Sequence, residues 1–173
     1  MFRRRMPRRV SKPRQANCQT GRVAAVTTTL RERALACLAR REHSRAELAR
    51  KLAAHAESDE ALSALLDDLE AGRLLSDARY VEMRLNARRE RYGNARLSQE
   101  LRANGVDAAV VEDALAACGD EVSRARQVWQ RKFGARPPAQ DAAGRAKQMR
   151  FLMGRGFSGE TIRRVLRGEF DEE

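Results

Sequence analysis

The sequence predicts an all-α protein: three tandem three-helix repeats forming an elongated body able to curve, preceded by a disordered basic N-terminal tail. Three observations carry this expectation. Alanine, leucine, arginine and glutamate dominate and are good helix formers, whereas aromatic residues, which long sheets favour, are only 5% of 173 residues. Helix start and stop signals recur at short intervals. A leucine pattern then returns at a long period.

The elements follow in order. An opening helix is expected near Thr28 to Arg40. Ser44 with Glu47 reads as a capping box ahead of Leu48 and Leu52, and Glu47 with Lys51 adds an i,i+4 pair. Ser58 opens the next helix with Asp59 and Glu60 in its first turn, where the helix dipole favours acids. Its Leu62, Leu65, Leu66 and Leu69 form one apolar stripe, and Gly72 stops it. Ser76 or Asp77 caps a fourth helix that runs to about Arg91, and Gly93 breaks the chain. Leu97 and Leu101 mark a fifth, with Gly105 after Asn104 as its terminating residue. Asp107 caps a segment with Val110, Val111, Ala114, Leu115 and Cys118, ended by Gly119. Asp120 starts a seventh, with Val122, Ala125, Trp129 and Phe133 inward. Gly134 to Gln140, holding Pro137 and Pro138, reads as a linker, and two helices follow, about Asp141 to Met153 and Ser158 to Arg167.

These short helices contain a repeat. Leu52, Leu101 and Leu152 align, as do Ala56, Gly105 and Gly156, then Leu62, Val111 and Ile162, then Leu66, Leu115 and Leu166, at periods of 49 and 51 residues. Tyr80 and Trp129 correspond and are expected to be core anchors rather than base-stacking platforms. The chain therefore divides into a tail, 1–26, and a first repeat, 27–75. The second repeat is 76–120, with a boundary that runs to about 134, and the third is 135–173, after the proline-containing linker. A three-helix unit this small buries little surface alone, so stacking and a continuous binding face are expected.

Charge is uneven. Arg3, Arg4, Arg5, Arg8, Arg9, Lys12, Arg14 and Arg22 give residues 1–26 most of the net charge of +11, with no acid among them. Such an arm suits nucleic acid or an acidic surface; it reads equally as a start-site extension with Met6 as a later start, while its Arg-rich, acid-poor composition is the sole feature it shares with a transit sequence. No apolar run approaches the ~20 residues of a membrane span, and no apolar core follows the first arginines, as a secretory signal would require. Cys18, Cys37 and Cys118 form no CxxC pair, which fits a reducing cytoplasm.

Catalytic chemistry is sparse. There is no phosphate-binding glycine loop and no HExxH, CxxC or DxD cluster. His43 and His55 read as surface or helix-end residues, Cys37 and Cys118 as small core residues, and Asp67 and Asp68 diverge by about 100° on one helix. The expectation is no enzyme, no cofactor and no metal. Basic residues on the helices are the candidates instead: Arg79, Arg84, Arg88 and Arg91 (the last three at i, i+4, i+7), then Arg131 and Lys132, then Arg145, Lys147, Arg150 and Arg155. Arginine outnumbers lysine 31 to 4, which suits bidentate recognition of carboxylate or phosphate. A GC-rich genome gives the same bias, and many such side chains are merely solvated.

A family resemblance runs from about residue 30 to 170. It rests on Arg40-Arg41-Glu42-His43-Ser44-Arg45-Ala46-Glu47-Leu48, on Leu74-Leu75-Ser76-Asp77-Ala78-Arg79-Tyr80-Val81, and on Tyr92-Gly93, Glu100-Leu101 and Gly105-Val106. It continues through Arg131-Lys132-Phe133-Gly134 and Arg150-Phe151-Leu152-Met153-Gly154-Arg155-Gly156-Phe157. The chain resembles the RecX regulatory proteins of bacteria, modulators of the RecA recombinase. It departs from many relatives at Tyr80-Val81, where Phe-Ala is frequent, and at Arg91, where a glycine is common. The resemblance implies nine helices in three repeats. It also implies binding in the groove of the RecA–single-stranded-DNA filament, with inhibition of ATPase, filament extension and strand exchange. It brings no metal, nucleotide or catalytic residue. The alternative is a helical module that binds DNA directly through the basic tail and arginine faces.

Overall fold

Capping side chains set where the helices begin. The computed structural model describes residues 28–134 and 138–168; the expected tail, 1–26, and positions 135–137 of the expected linker lie outside the described residues. Among the described residues the chain is helical throughout: α1 (Leu30–Leu38), α2 (Arg45–Leu52) with a 3₁₀ turn at Ala53–His55, and α3 (Asp59–Ala71). Then come α4 (Asp77–Arg88), α5 (Asn94–Ala103), α6 (Ala108–Ala116), α7 (Glu121–Phe133), α8 (Ala142–Met153) and α9 (Gly159–Arg167). Ser44, Ser58, Ser76, Asp107, Asp120, Asp141 and Ser158 each accept a backbone N–H from the first turn of the helix they cap. This satisfies donors that a helix start otherwise leaves open.

One local expectation changes. A complete capping box forms at Thr29 and Glu32 in α1, not at Ser44. There Ser44 accepts the Glu47 N–H at 3.1 Å, but the Glu47 carboxylate turns to the Arg41 guanidinium instead. Gly72 ends α3 as expected, with ordinary φ, and the left-handed turn falls on Arg73, φ 55°. The N–H groups of Leu74 and Leu75 then bond back to the Leu69 carbonyl, and Leu75 is buried.

Among the described residues three apolar cores lie along the chain. The first joins Ala34, Leu48, Leu52, Leu62, Leu66, Leu69 and Leu75. The second joins Tyr80, Val81, Leu85, Leu97, Leu101, Val106 and Val111. The third joins Val122, Ala125, Val128 and Trp129 of α7 to Leu152, Phe157, Ile162, Val165 and Leu166. The third core moves the expected boundary. Helix α7 packs with α8 and α9, so the last unit begins near residue 120 and the proline-containing loop lies inside it, not before it. Gly134 ends α7 but the packing continues, because Trp129 and Phe133 join the core that holds α8 and α9. Tyr80 and Trp129 are 1% and 5% exposed, as core anchors must be.

The units join by one rule used twice. The first residue of each following unit's opening helix caps the middle helix of the unit before it. Asp77 accepts the Arg45 N–H at 2.8 Å, and Glu121 accepts the Asn94 N–H at 2.7 Å. A glycine loop closes each contact. A Cβ on Gly105 would collide with Ala46, and one on Gly156 would collide with the backbone of Arg96. At the second junction Gly93 N–H donates to the Arg155 carbonyl at 2.9 Å and Ala95 N–H to the Gly156 carbonyl at 3.2 Å.

Candidate partner interface

The ten basic residues singled out by the sequence separate into three groups. Arg79, Arg84 and Arg88 are engaged inside the fold. Arg79 Nε donates to Glu42 at 2.8 Å across the first junction. Arg84 and Arg88 both meet the carboxylate of Glu100 on α5, with Arg88 Nε 3.0 Å from Glu100 Oε2. Helix α4 also ends at Arg88, so Arg91 does not continue the face of Arg84 and Arg88. The expected i, i+4, i+7 stripe is therefore not one surface.

A second group meets in space. Arg91, Arg131, Lys132 and Arg155, with Glu90, Tyr92, Val128 and Phe151, line a cleft of about 400 Å³ where the second unit meets the third. Three segments build it: the turn after α4, the end of α7 and the end of α8. Arg155 stacks 4.2 Å from the Phe151 ring centre, and Phe151 packs edge-on against Phe133 at 5.2 Å. Tyr92 lies between the guanidinium groups of Arg88 and Arg96, at 4.8 and 4.5 Å. Stacking holds a guanidinium plane while leaving its edge donors outward, ready for carboxylate or phosphate. Arg131 donates to the Glu90 carbonyl and lies 3.8 Å from its carboxylate. That pair is more than half exposed and therefore contributes little, so the charge stays available to a ligand.

The remaining three lie elsewhere. Lys147 and Arg150 are exposed on α8, and Arg145 borders a separate groove between α8 and α9. Residues absent from the basic set also shape the cleft. Arg124, outside the lining, ties down the turn that carries Tyr92, donating to the carbonyls of Arg89 and Tyr92 and to Asn94 Oδ1. Tyr92 and Phe151 are the cleft's apolar walls. The signal for both aromatics was present, since Tyr92-Gly93 and Phe151 sit in the motifs, but nothing local shows that they converge.

His43 is the plain correction. It is 2% exposed, not a surface residue. Its Nδ1 lies 2.9 Å from the Arg41 carbonyl and its Nε2 2.8 Å from Lys51 Nζ. An ammonium only donates, so Nε2 accepts and Nδ1 carries the proton. Burial, with Arg41 and Lys51 nearby, pushes its pKa below the ordinary value of 6.5. Arg41 meanwhile holds the Glu47 carboxyl below its usual range. A depressed histidine pKa means the unfolded chain binds more protons. The His43 contribution is complete above about pH 6.5 and is lost as pH falls through that value toward the lower folded pKa. Urea melts between pH 8 and pH 5 should show a steeper loss for the native chain than for His43→Gln. Equal slopes would remove His43 as the cause.

Among the described residues no group of three or more His, Cys, Asp or Glu side chains is placed to hold a metal. No described helix is long and apolar enough to cross a membrane.

Comparison with known proteins agrees with the three-unit body. The family model described as the third three-helix domain of RecX matches residues 119–166, and that of the second three-helix domain matches 76–115. The first limit places α7 in the last unit. The protein named regulatory protein RecX in Herminiimonas arsenicoxydans is 47% identical over 152 residues, spanning 87% of this chain and 99% of that one. Its counterpart in Leptothrix cholodnii is 54% identical over 140 residues, spanning 80% and 88%. The crystal structure of RecX from Lactobacillus salivarius superposes with a TM-score of 0.71 at 20% identity, covering 82% of this chain and 95% of that one, and supports the fold. With helices, junctions and relatives in agreement, the chain belongs to the RecX family of regulatory proteins.

Proposed function

We propose that this chain binds the filament that the RecA recombinase forms on single-stranded DNA and restrains it, lowering ATPase activity, filament extension and strand exchange. Its place is then in the cytoplasm, in DNA repair, recombination and the SOS response, without a cofactor or small-molecule substrate. Family membership supports the partner. The observation that carries the site is the cleft at the second junction, where Arg91, Arg131, Lys132 and Arg155 surround two aromatic walls. Repeats stacked in chain order suit a partner that is itself a repeating polymer, because several weak contacts made together raise avidity.

The test is the single-stranded-DNA-dependent ATPase of the host recombinase, titrated with the full chain and with a chain lacking residues 1–26. The expected result is inhibition below one-to-one stoichiometry, retained after truncation. No inhibition by either form overturns the reading. Direct DNA binding is then measured against salt, where contacts to duplex phosphates give a slope of about −0.9 each.

A further inference from the structure

One buried titratable group has no part in the cleft. His43, on the loop before α2, is 2% exposed, with Nδ1 2.9 Å from the Arg41 carbonyl and Nε2 2.8 Å from Lys51 Nζ. The carbonyl holds the ring proton on Nδ1, so the Nε2 lone pair is aimed at the lysine amine. Burial, with Arg41 and Lys51 nearby, keeps the imidazole neutral at pH 7.

Lys51 is the outer half of this pair. Its side chain is 44% exposed, so a reagent reaches it from solvent. Glu47 lies 3.6 Å from the amine, but its carboxylate accepts from both terminal nitrogens of Arg41 and holds the lysine charge less firmly for that reason. A neutral base touching an exposed amine is the arrangement that activates a nitrogen nucleophile. Lysine is also scarce, four residues against 31 arginines. Lys132 and Lys147 are exposed on α7 and α8. The two histidines of the chain, His43 and His55, both belong to the first unit.

We propose that Lys51 is a covalent acylation site that takes acyl groups from small acyl phosphates, with His43 as its general base. Lys51 reacts as the free amine. Its nitrogen bonds to the acyl carbon, the bond from that carbon to the phosphate oxygen breaks, and inorganic phosphate leaves. The proton lost by the nitrogen passes to His43 Nε2 and from there to water, with no change of oxidation state. The product is a neutral amide with one N–H left to donate to Nε2, and the side chain loses its positive charge.

The test incubates the full chain with acetyl phosphate at pH 8 and follows acetylation of Lys51, Lys132 and Lys147 by peptide mass spectrometry. Lys51 should react about tenfold faster than the other two, within the ~10²–10⁴-fold that positioned acid–base groups supply. His43→Gln, checked by a melt, should bring Lys51 down to the rate of Lys147 and leave Lys147 unchanged. Histidine ¹⁵N NMR of the native chain, assigned with His55→Gln, should show His43 as the neutral tautomer protonated at Nδ1, and it decides the base's role if His43→Gln unfolds. A Lys51 rate equal to the other two overturns the proposal. So does an excess that survives in folded His43→Gln, or a His43 ring protonated at Nε2.

Discussion

Gly156→Ala should destabilise the protein by about 2–5 kcal/mol in equilibrium urea denaturation. Two costs add. Gly156 has φ 80°, a left-handed conformation that costs an L-residue about 1–2 kcal/mol. The added Cβ also meets Arg96 at its own Cβ, Cα and backbone N. Overpacking of that kind costs about 1–3 kcal/mol, and backbone cannot swing aside as a flexible side chain can. The two junction bonds nearest the collision, Gly93 N–H to Arg155 O and Ala95 N–H to Gly156 O, should be the first lost. Gly119 supplies the control. It has nearly the same φ, 79°, with nothing within 4 Å of the added atom, so Gly119→Ala should show the conformational cost alone. If the two variants lose the same stability, the close approach between units does not hold the junction.

Reversing the cleft charges should weaken the proposed inhibition of RecA about tenfold or more while leaving the fold intact. The variant is Arg91→Glu/Arg131→Glu/Lys132→Glu, three exposed positions. Their loss removes charge complementarity rather than core contacts, and tenfold corresponds to about 1.4 kcal/mol. Inhibition is read from the ATPase titration, and stability from a melt run in parallel. The comparison that gives the result meaning is Arg84→Ala/Arg88→Ala. Those two side chains share Glu100, whose own side chain is 19% exposed. Removing them strands that carboxylate, a loss on the order of 1–3 kcal/mol. Weaker inhibition by that pair would then come from a weaker fold. Unchanged inhibition by the cleft variant, with an unchanged melt, would take the cleft out of the interface.

Much of this protein was legible before its structure. Among the described residues, seven of nine α-helices start at a Ser or Asp cap visible in the sequence. The aligned Leu52, Leu101 and Leu152 are all buried, in three separate cores. Caps act over three or four residues and an apolar stripe over a few turns, so both leave a local signature. The repeat extends that signature, because equivalent positions in each copy meet the same packing.

Competition among partners, several of them distant in sequence, hid the rest. Glu47 had a suitable local partner in the Ser44 cap, yet the Arg41 guanidinium takes its carboxylate. His43 sits where a polar residue before a cap is ordinarily wet, but the fold closes over it and supplies Lys51 and the Arg41 carbonyl. The prolines after α7 carried the look of a boundary, while Trp129 and Phe133 tie α7 to α8 and α9.

The sequence by itself determined the helices, their order and the three-fold repeat, since these rest on backbone donors and apolar spacing that neighbouring residues decide. Only the tertiary structure decided which arginines pair inside the fold and which line an open cleft. Arg84 and Arg131 are the same side chain at exposed-looking helical positions. One finds Glu100 sixteen residues on, and the other faces a cleft whose walls come from three segments. Electrostatic pairing depends on distance in space, and the stacking of the units sets that distance.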